Sequence, residues 1–430
     1  MTEIKKGDIF PSKVTRLYIS NNQLRQIERT AFSSLTLNDL YLDHNRLQSI
    51  SNIIFPSSLR SLSFSNNVLP SFSGLHFTNP QSNSLQRLDL SNNPIRTISS
   101  GAFSNLSYMH RLDLSRTSLM SIGHTTFPSS LSKLSELRLS DNDFTNIAGD
   151  AFSHLPQLYE IYLTNASLTS LDHITFPSYL GSLRVTDNAI TSISALKFTN
   201  SSSHLIHLDL SNNPITNIGS KAFSNLTELE YLYLSNALLT HIPTNIVSMA
   251  TLQYLVLSGN PITYISKDAF TNLTNLEVLH LSNTSLTSID HVVFPSTLEY
   301  LILSNNAITS VSALNFTTPN SSRLERLDLS NNPIIDISND AFSHLSDLNS
   351  LSLFNTSLTR LPMALLSTHA WADLDLIPGL VCSCTEAGLL TWYHDLVADY
   401  DGEEDLSISG HCVGGSSIDD FFNYLAPKCP

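Results

Sequence analysis

One pattern constrains this chain more than any other feature. The motif Leu-x-Leu-x-x-Asn returns every 22 to 26 residues along nearly the whole sequence. A chain of such units extends along one axis, so its 430 residues predict a solenoid and do not require one large core. Fifteen copies and a half-copy begin at Leu17, Leu40, Leu62, Leu88, Leu112, Leu137, Ile161, Leu183, Leu208, Leu232, Leu255, Leu279, Leu301, Leu327, Leu351 and, for the half-copy, Leu374.

Each position of the motif has a structural interpretation. Alternating apolar residues such as Leu88 and Leu90 have the period of a strand with one face turned inward. Strands of successive copies are expected to stack in parallel at about 4.8 Å. The Asn five residues after most starts is expected to bond backbone groups that would otherwise be buried unpaired. Ala166 and Ala237 replace it in two copies, where we expect a water molecule or a small distortion.

Two further periodicities are present. Thirteen copies place Phe fifteen residues after the start, which predicts a stacked aromatic spine on the convex side. Starts with similar spacings also recur at Leu40, Ile161 and Leu279, which are 121 and 118 residues apart. The chain therefore reads as a tandem duplication of a five-repeat block.

These motifs resemble the leucine-rich repeat, in the form that ends in Ala-Phe-x-x-Leu and is typical of extracellular animal proteins. The resemblance covers roughly residues 12–376. It implies an α/β fold, a horseshoe-shaped solenoid with a parallel concave sheet. We expect a solenoid of about fifteen repeats at 1–376 and a cysteine-rich C-terminal cap at 377–430.

All four cysteines lie after residue 380, and four cysteines allow three pairings. Their spacing resembles the C-terminal flanking domain of extracellular leucine-rich-repeat proteins. That resemblance implies disulfides Cys382–Cys412 and Cys384–Cys429, and disulfides place the protein in an oxidising, extracellular compartment. Metal binding and free thiols are the alternatives; zinc sites usually separate paired cysteines by at least two residues.

The composition limits the partners and the location. A net charge of -15 should repel nucleic acid and anionic membrane surfaces. No apolar stretch approaches the 18 residues of a membrane span, and Met1–Phe10 lacks the apolar core of a signal peptide. For a chain otherwise of extracellular type, we expect a truncated N-terminus that frays; an incomplete gene model and an unconventional secretory route are the alternatives. Among the Asn-x-Ser/Thr sites, those best placed for glycosylation, in convex loops, are Asn200, Asn315 and Asn320.

The sequence contains no catalytic, phosphate-binding or dinucleotide motif, so we expect neither an enzyme nor a cofactor or metal. The concave surface is expected to be mostly Ser and Asn. On four consecutive strands, however, larger side chains should form one contiguous surface that is typical of binding hot spots. The alternative is that aromatic residues simply suit strands. This tyrosine patch comprises Tyr231, Tyr233, Tyr254, Val256, Val278, His280, Tyr300 and Ile302.

Charged residues form two further features. Arg87/Asp89, Arg111/Asp113 and Arg326/Asp328 face the concave side, where we expect them to pair with neighbours as solvated salt bridges. The acidic stretch Asp399–Asp405 is interpreted as a solvated loop, with a basic partner or calcium as the alternative.

The sequence thus favours a secreted or cell-surface recognition or adhesion protein that binds a protein or glycan on its concave face. It resembles immune-type receptors, namely Toll-like receptor ectodomains and variable lymphocyte receptors. The ectodomain of a transmembrane signalling receptor and an intracellular interaction scaffold are the alternatives. Ligand identity and oligomeric state are not predicted.

Overall fold

The chain forms two compact units, Met1–Leu229 and Glu230–Pro430, which are described separately below. The computed structural model describes residues 1–8, 14–318, 322–360, 362–367, 373–380 and 407–412, together with 389, 417 and 420.

The first unit contains nine described three-residue strands that run in parallel. They pair in register, so that Leu40 lies beside Leu62 and Leu88 beside Leu112. The central apolar residue is at most 1% exposed in every one except Leu17, which is half-buried at the N-terminal end. The nine strands are Arg16–Tyr18, Asp39–Tyr41, Ser61–Ser63, Arg87–Asp89, Arg111–Asp113, Glu136–Arg138, Glu160–Tyr162, Ser182–Arg184 and His207–Asp209.

The second unit continues the same pattern over six three-residue strands and two longer ones. All pairings among them are parallel, with Leu255, Leu279, Leu301, Leu327 and Leu351 in register. In both units the residues on either side of the central leucine lie on the other side of the sheet, called the sheet face below. The strands are Tyr231–Tyr233, Tyr254–Val256, Val278–His280, Tyr300–Ile302, Arg326–Asp328, Ser350–Ser352, Asp373–Leu380 and Ser407–Cys412.

The segments between these strands close with turns and two-residue strands. The longest helical segments among the described residues are three short 3-10 turns, so this part of the chain has almost no helix. They are Pro80–Ser82, Ile246–Ser248 and Met363–Ser367. The parallel-sheet solenoid is therefore confirmed, with less helix than an α/β class implies. The short strands are Glu3–Ile4, Gln26–Ile27, Ile54–Phe55, Ser71–Phe72, His76–Phe77, Thr97–Ile98, Ser121–Ile122, Asn146–Ile147, Thr175–Phe176, Ser192–Ile193, Lys197–Phe198, Asn217–Ile218, Val293–Phe294, Ser310–Val311, Asn315–Phe316 and Asp336–Ile337.

The duplication is visible in these short strands. Ile54–Phe55 pairs with His76–Phe77, and the same pairing recurs 121 residues later, at Thr175–Phe176 with Lys197–Phe198. It recurs again 118 residues further on, at Val293–Phe294 with Asn315–Phe316. The five-repeat block predicted from sequence spacing is therefore also a structural period.

Buried asparagines connect the turns as predicted. Asn213 is fully buried, and its Nδ2 donates to the carbonyls of Val185 (2.8 Å) and Leu210 (2.9 Å). Its Oδ1 accepts the N–H of Ile190 at 3.2 Å. With a further bond from Nδ2 to the carbonyl of Ser211 at 3.3 Å, one side chain satisfies four backbone groups in two turns.

The two alanines at this position behave differently from each other. Beside Ala166, Ser167 adopts a left-handed φ of 56°. Among the described copies this is the one with a second non-glycine residue at positive φ, so the expected small distortion is present there. The N–H groups of Ala166 and Leu168 both bond Oδ1 of Asn188. At Ala237, Asn260 of the next turn makes its usual bond to the carbonyl of Leu234.

The aromatic spine is confirmed in three runs of neighbouring rings, from Phe32 to Phe77, from Phe103 to Phe198 and from Phe270 to Phe316. All thirteen phenylalanines are at most 9% exposed, and neighbouring rings such as Phe127, Phe152 and Phe176 lie 6.1–6.2 Å apart. The long repeat that follows Phe77 interrupts this order. There Phe72, and not Phe77, stacks on Phe103, with 5.1 Å between the ring centroids. The thirteen are Phe32, Phe55, Phe77, Phe103, Phe127, Phe152, Phe176, Phe198, Phe223, Phe270, Phe294, Phe316 and Phe342.

Candidate functional site

The eight residues of the tyrosine patch lie in the second unit as two parallel columns on the sheet face. Strand register places Tyr231, Tyr254, Val278 and Tyr300 in one column. The same register places Tyr233, Val256, His280 and Ile302 in the other. Neighbours within a column belong to adjacent strands, so the side chains form one contiguous surface.

Tyr254 is the centre of the patch. Its ring lies 6.1 Å from that of Tyr231, 5.6 Å from that of Tyr233 and 5.5 Å from that of His280, measured between centroids. Its hydroxyl is 3.2 Å from Nε2 of His280, within hydrogen-bond distance. Four of the eight side chains are therefore packed against one another, which favours a surface that is already ordered before a partner binds.

An open depression of about 490 Å³ lies beside Tyr254. Its lining is mainly apolar and aromatic, with a charged pair at the strand that follows the patch. Tyr300 on its border is 37% exposed, whereas Val256 nearby is only 8% exposed. The depression is lined by Tyr254, Val278, His280, Tyr300, Ile302, Arg326 and Asp328.

His280 is the titratable group inside this surface. Burial lowers the pKa of its imidazole below the ordinary value of 6.5, and the nearby positive charge of Arg326 lowers it further. Asp328 acts in the opposite direction. The imidazole is therefore neutral at pH 7, which keeps the centre of the patch uncharged.

The corresponding positions of the first unit provide an internal comparison. Five strands earlier, at the spacing of the duplication, the eight patch positions are occupied by mainly charged and polar residues, while the central apolar residues are retained. In the order of the patch, the counterparts are Arg111, Asp113, Glu136, Arg138, Glu160, Tyr162, Ser182 and Arg184.

These counterparts pair with one another. Glu136 lies 3.5 Å from Nε of Arg111 and 2.5 Å from Nε of Arg138. Arg138 and Arg184 lie over the ring of Tyr162, at 4.9 Å and 5.4 Å from its centroid. The first unit thus covers this part of its sheet face with ion pairs and cation–π contacts, and the second unit covers it with tyrosines and aliphatic side chains.

The predicted salt bridges are found in part. Arg111 pairs with Glu136, but Arg87 donates from Nε and Nη2 to the hydroxyl of Ser61 at 3.0 and 2.7 Å. The three aspartates accept backbone N–H groups two residues later, at 2.9 Å in each case. Asp89, Asp113 and Asp328 therefore cap the end of their strands, where we had expected ion pairs with neighbours.

A second, smaller depression of about 300 Å³ lies on the sheet face of the first unit. Asp43, Asp89 and Asp113 line it together with Tyr41 and Arg87. Burial raises the pKa of the Asp89 carboxyl, which two bonds from Ser91 partly offset. Sequence reasoning did not identify this depression, because its aspartates come from three different repeats.

The remaining predicted sites are less informative. Asn200 and Asn315 are exposed, but Nδ2 of Asn315 donates to the carbonyl of Asp290 at 2.9 Å. Asn320, Asp399–Asp405 and the cysteine side chains lie outside the described residues. The described residues contain no group of three or more His, Cys, Asp and Glu side chains arranged to bind a metal ion. Helices in the described part of the chain fall short of the length and hydropathy that a membrane span requires.

Family models match most of the sequence. The model described as leucine rich repeat matches more than half of the chain, and a BspA type leucine rich repeat region matches residues 2–81. No curated protein sequence matches the chain significantly. The first model matches residues 83–143, 107–168, 178–239, 250–308 and 296–358.

Several solved structures have a similar fold. Toll from the glycosylated Drosophila Toll–Spatzle complex is 22% identical, with a TM-score of 0.61 over 91% of this chain and 56% of Toll. YopM from Yersinia enterocolitica is 21% identical, with a TM-score of 0.60 over 89% of this chain and 73% of YopM. A leucine-rich-repeat protein of Leptospira interrogans is 24% identical, with a TM-score of 0.59 over 81% of this chain and 91% of that protein. This chain thus spans little more than half the length of Toll, and at these identities the likeness concerns the fold.

Proposed function

Because the chain belongs to the leucine-rich repeat family, we propose that it is a recognition or adhesion protein that binds a protein ligand through the tyrosine patch. Leucine-rich repeats are generally protein-interaction modules, and the solenoid fold is typically non-catalytic. Solenoids use the extended surface of their stacked strands for binding. Toll, whose fold is similar, was solved in complex with Spatzle.

The observation that carries this proposal is the contrast between the two copies of the same eight positions. A structural requirement of the repeat would apply to both copies, since the buried leucines are kept in both. The surface residues instead change from a self-paired ionic network to an aromatic and aliphatic patch. Tyr300 is exposed, and the other three tyrosines of the patch are half-buried. Accessible tyrosine side chains offer large, rigid contact area with a hydroxyl, which is typical of protein-binding hot spots.

A glycan is the other class of ligand expected from the sequence. Recognition of a sugar needs several side chains that can bond its hydroxyls. The patch offers mainly apolar atoms, and the hydroxyl of Tyr254 is already within hydrogen-bond distance of His280. The patch therefore favours a protein segment with apolar side chains.

We also propose an extracellular location for this activity, with a solenoid at 1–376 and a disulfide-bonded cap at 377–430. The support is the cysteine spacing of the last fifty residues together with the fold shared with Toll. Glycosylation at Asn200, Asn315 and Asn320 is part of this proposal.

A peptide selection tests the binding proposal. A displayed library of random peptides is selected on the full chain, and the affinities of the selected peptides are measured with variants. We expect the double variant Tyr254→Ala/Tyr300→Ala to weaken binding by about thirtyfold or more, as truncation of hot-spot residues does.

Tyr18 and Tyr41 supply a matched control. They lie on the sheet face of the first unit and stack at 4.8 Å, so Tyr18→Ala/Tyr41→Ala removes the same atoms at another place. Binding should change by less than about twofold in this control. If only the control variant loses binding, the tyrosine patch is not the binding site.

A further inference from the structure

A row of glutamates borders the tyrosine patch. Glu277, Glu299 and Glu325 each stand two residues before a central leucine, at the entrance to three consecutive strands. The N–H of Glu299 donates to the carbonyl of Glu277 at 2.8 Å, and the N–H of Glu325 to that of Glu299 at 2.9 Å. The three residues therefore lie on adjacent turns, and we call them the glutamate row.

The carboxylates of this row interact unfavourably. Burial raises the pKa of the Glu299 carboxyl, and the negative charges of Glu277 and Glu325 raise it further. Arg323 lowers it, so one basic side chain offsets part of the repulsion. The hydroxyl of Tyr300 donates to Oε2 of Glu325 at 3.4 Å, which joins the row to the patch.

The charges around the depression remain negative in sum. The row contributes three carboxylates and Asp328 a fourth, against the two cations Arg323 and Arg326. Oδ1 of Asp328 is occupied by the N–H and hydroxyl of Ser330, at 2.9 and 2.6 Å. The glutamate row therefore carries most of the negative charge at this border that is not neutralised.

The row is not a requirement of the repeat. In the preceding five-repeat block, Tyr159, Gly181 and Ile206 occupy the three equivalent positions. None of these carries a charge, so the glutamates occur in the copy that has the tyrosine patch and are absent from the copy that has the ionic network. The same block therefore differs at the patch and at its border together.

We propose that the partner is a protein segment that places an aromatic or aliphatic side chain in the depression and lysine or arginine side chains along the glutamate row. This inference rests on the proposed function of the patch. Basic side chains would relieve the repulsion among Glu277, Glu299 and Glu325, and complementary charge at the border of an interface sets partner choice and association rate. An acidic segment with the same apolar core would be rejected.

The selected peptides provide the probe. Each is synthesised with its apolar core unchanged and with flanking residues that are all lysine, all serine or all glutamate. We expect lysine-flanked peptides to bind the full chain at least about fivefold more tightly than serine-flanked ones, and glutamate-flanked peptides to bind most weakly. The preference should shrink at high salt, because exposed charges are screened.

The variant Glu277→Gln/Glu299→Gln/Glu325→Gln should remove the preference for lysine flanks over serine and glutamate flanks. A control variant, Asp268→Asn/Asp336→Asn/Asp340→Asn, makes the same change in net charge at exposed positions away from the sheet face. It should keep the preference.

The outcomes separate the two proposals. Binding that needs Tyr254 and Tyr300 but ignores the flanking charges, or an equal effect of the two triple variants, overturns the inference about the glutamate row and leaves the patch intact. Binding that is indifferent to Tyr254 and Tyr300 overturns both.

Discussion

At the scale of single residues, two adjacent asparagine positions close each turn in different ways. The Asn five residues after the start is buried and bonds the backbone, as Asn213 does. The residue before it, such as Asn212 with a φ of 58°, adopts the left-handed conformation. All fifteen copies do so, with Gly259 as the one glycine. Thirteen copies place Asn, Asp or Gly here, residues that tolerate this conformation, and His44 and Arg116 occupy it in the other two.

The variant Asn213→Ala tests the buried position. It leaves three carbonyls and one N–H without this partner, so the free energy of unfolding should fall by about 2–4 kcal/mol. Asn217→Ala is the control, because Asn217 is exposed in a short strand of the same repeat. It should change stability by less than about 0.5 kcal/mol. Urea unfolding measures both, and equal effects would refute the role of the buried asparagine.

The left-handed position is tested at Asn92, whose φ is 53°. Asn92→Val should destabilise the chain by about 1–2 kcal/mol, because a β-branched side chain is strained in this conformation. Asn92→Gly should be close to neutral, since glycine adopts it freely. Thermal unfolding of the two variants gives the comparison, and a harmless valine would contradict the account.

The imidazole of His280 gives a prediction about pH. Its pKa is lowered in the folded chain, so between that lowered value and 6.5 the unfolded chain binds more protons. Its contribution to folding is therefore complete above pH 6.5 and is lost as the pH falls below it. Arg326→Gln should raise the pKa and Asp328→Asn should lower it, as measured by NMR titration of the His280 ring. Shifts in the opposite directions would show that the charges are wrongly assigned.

At the scale of elements, the strands and the spine form the constant part of the molecule and the sheet face the variable part. The spacing of Leu and Phe predicted both the strands and the stacked rings, because burial fixes these positions in every copy. The contacts of surface charges were not predictable in the same way. Asp89 lines the smaller depression together with Arg87 and Arg111, yet its carboxylate accepts the N–H of Ser91.

Phe152 tests the contribution of the spine. Its ring is fully buried and lies 6.2 Å from Phe127 and 6.1 Å from Phe176. Phe152→Ala should destabilise the chain by about 3–5 kcal/mol, as large-to-small changes in cores do. Phe354 is 42% exposed, so Phe354→Ala should cost less than about 1 kcal/mol. Similar unfolding midpoints for the two variants would contradict a contribution of the aromatic spine to stability.

At the scale of the whole molecule, the sequence predicted the solenoid and the location of the patch, because both follow from the repeat register. It did not predict the left-handed residue in each copy, which was interpreted as surface, or the glutamate row, which lies outside the alternating positions of the strands. The second depression was also missed, since only the structure brings its three aspartates together.

The extracellular location has its own test. Peptide mass spectrometry of native, unreduced protein should find the linkages Cys382–Cys412 and Cys384–Cys429, as the resemblance to C-terminal flanking caps implies. Four free thiols would contradict the disulfide cap and favour an intracellular scaffold.

The central claim, that the sheet face of the second unit binds the partner, is tested most directly by photo-cross-linking. A photoreactive residue is placed at Ile302 or at its equivalents in the earlier blocks, Ser63 and Arg184. Each variant is then irradiated with the selected peptide. The account predicts cross-links from position 302 and background from 63 and 184. Equal cross-linking from all three positions, or cross-linking from 63 or 184 alone, would contradict it.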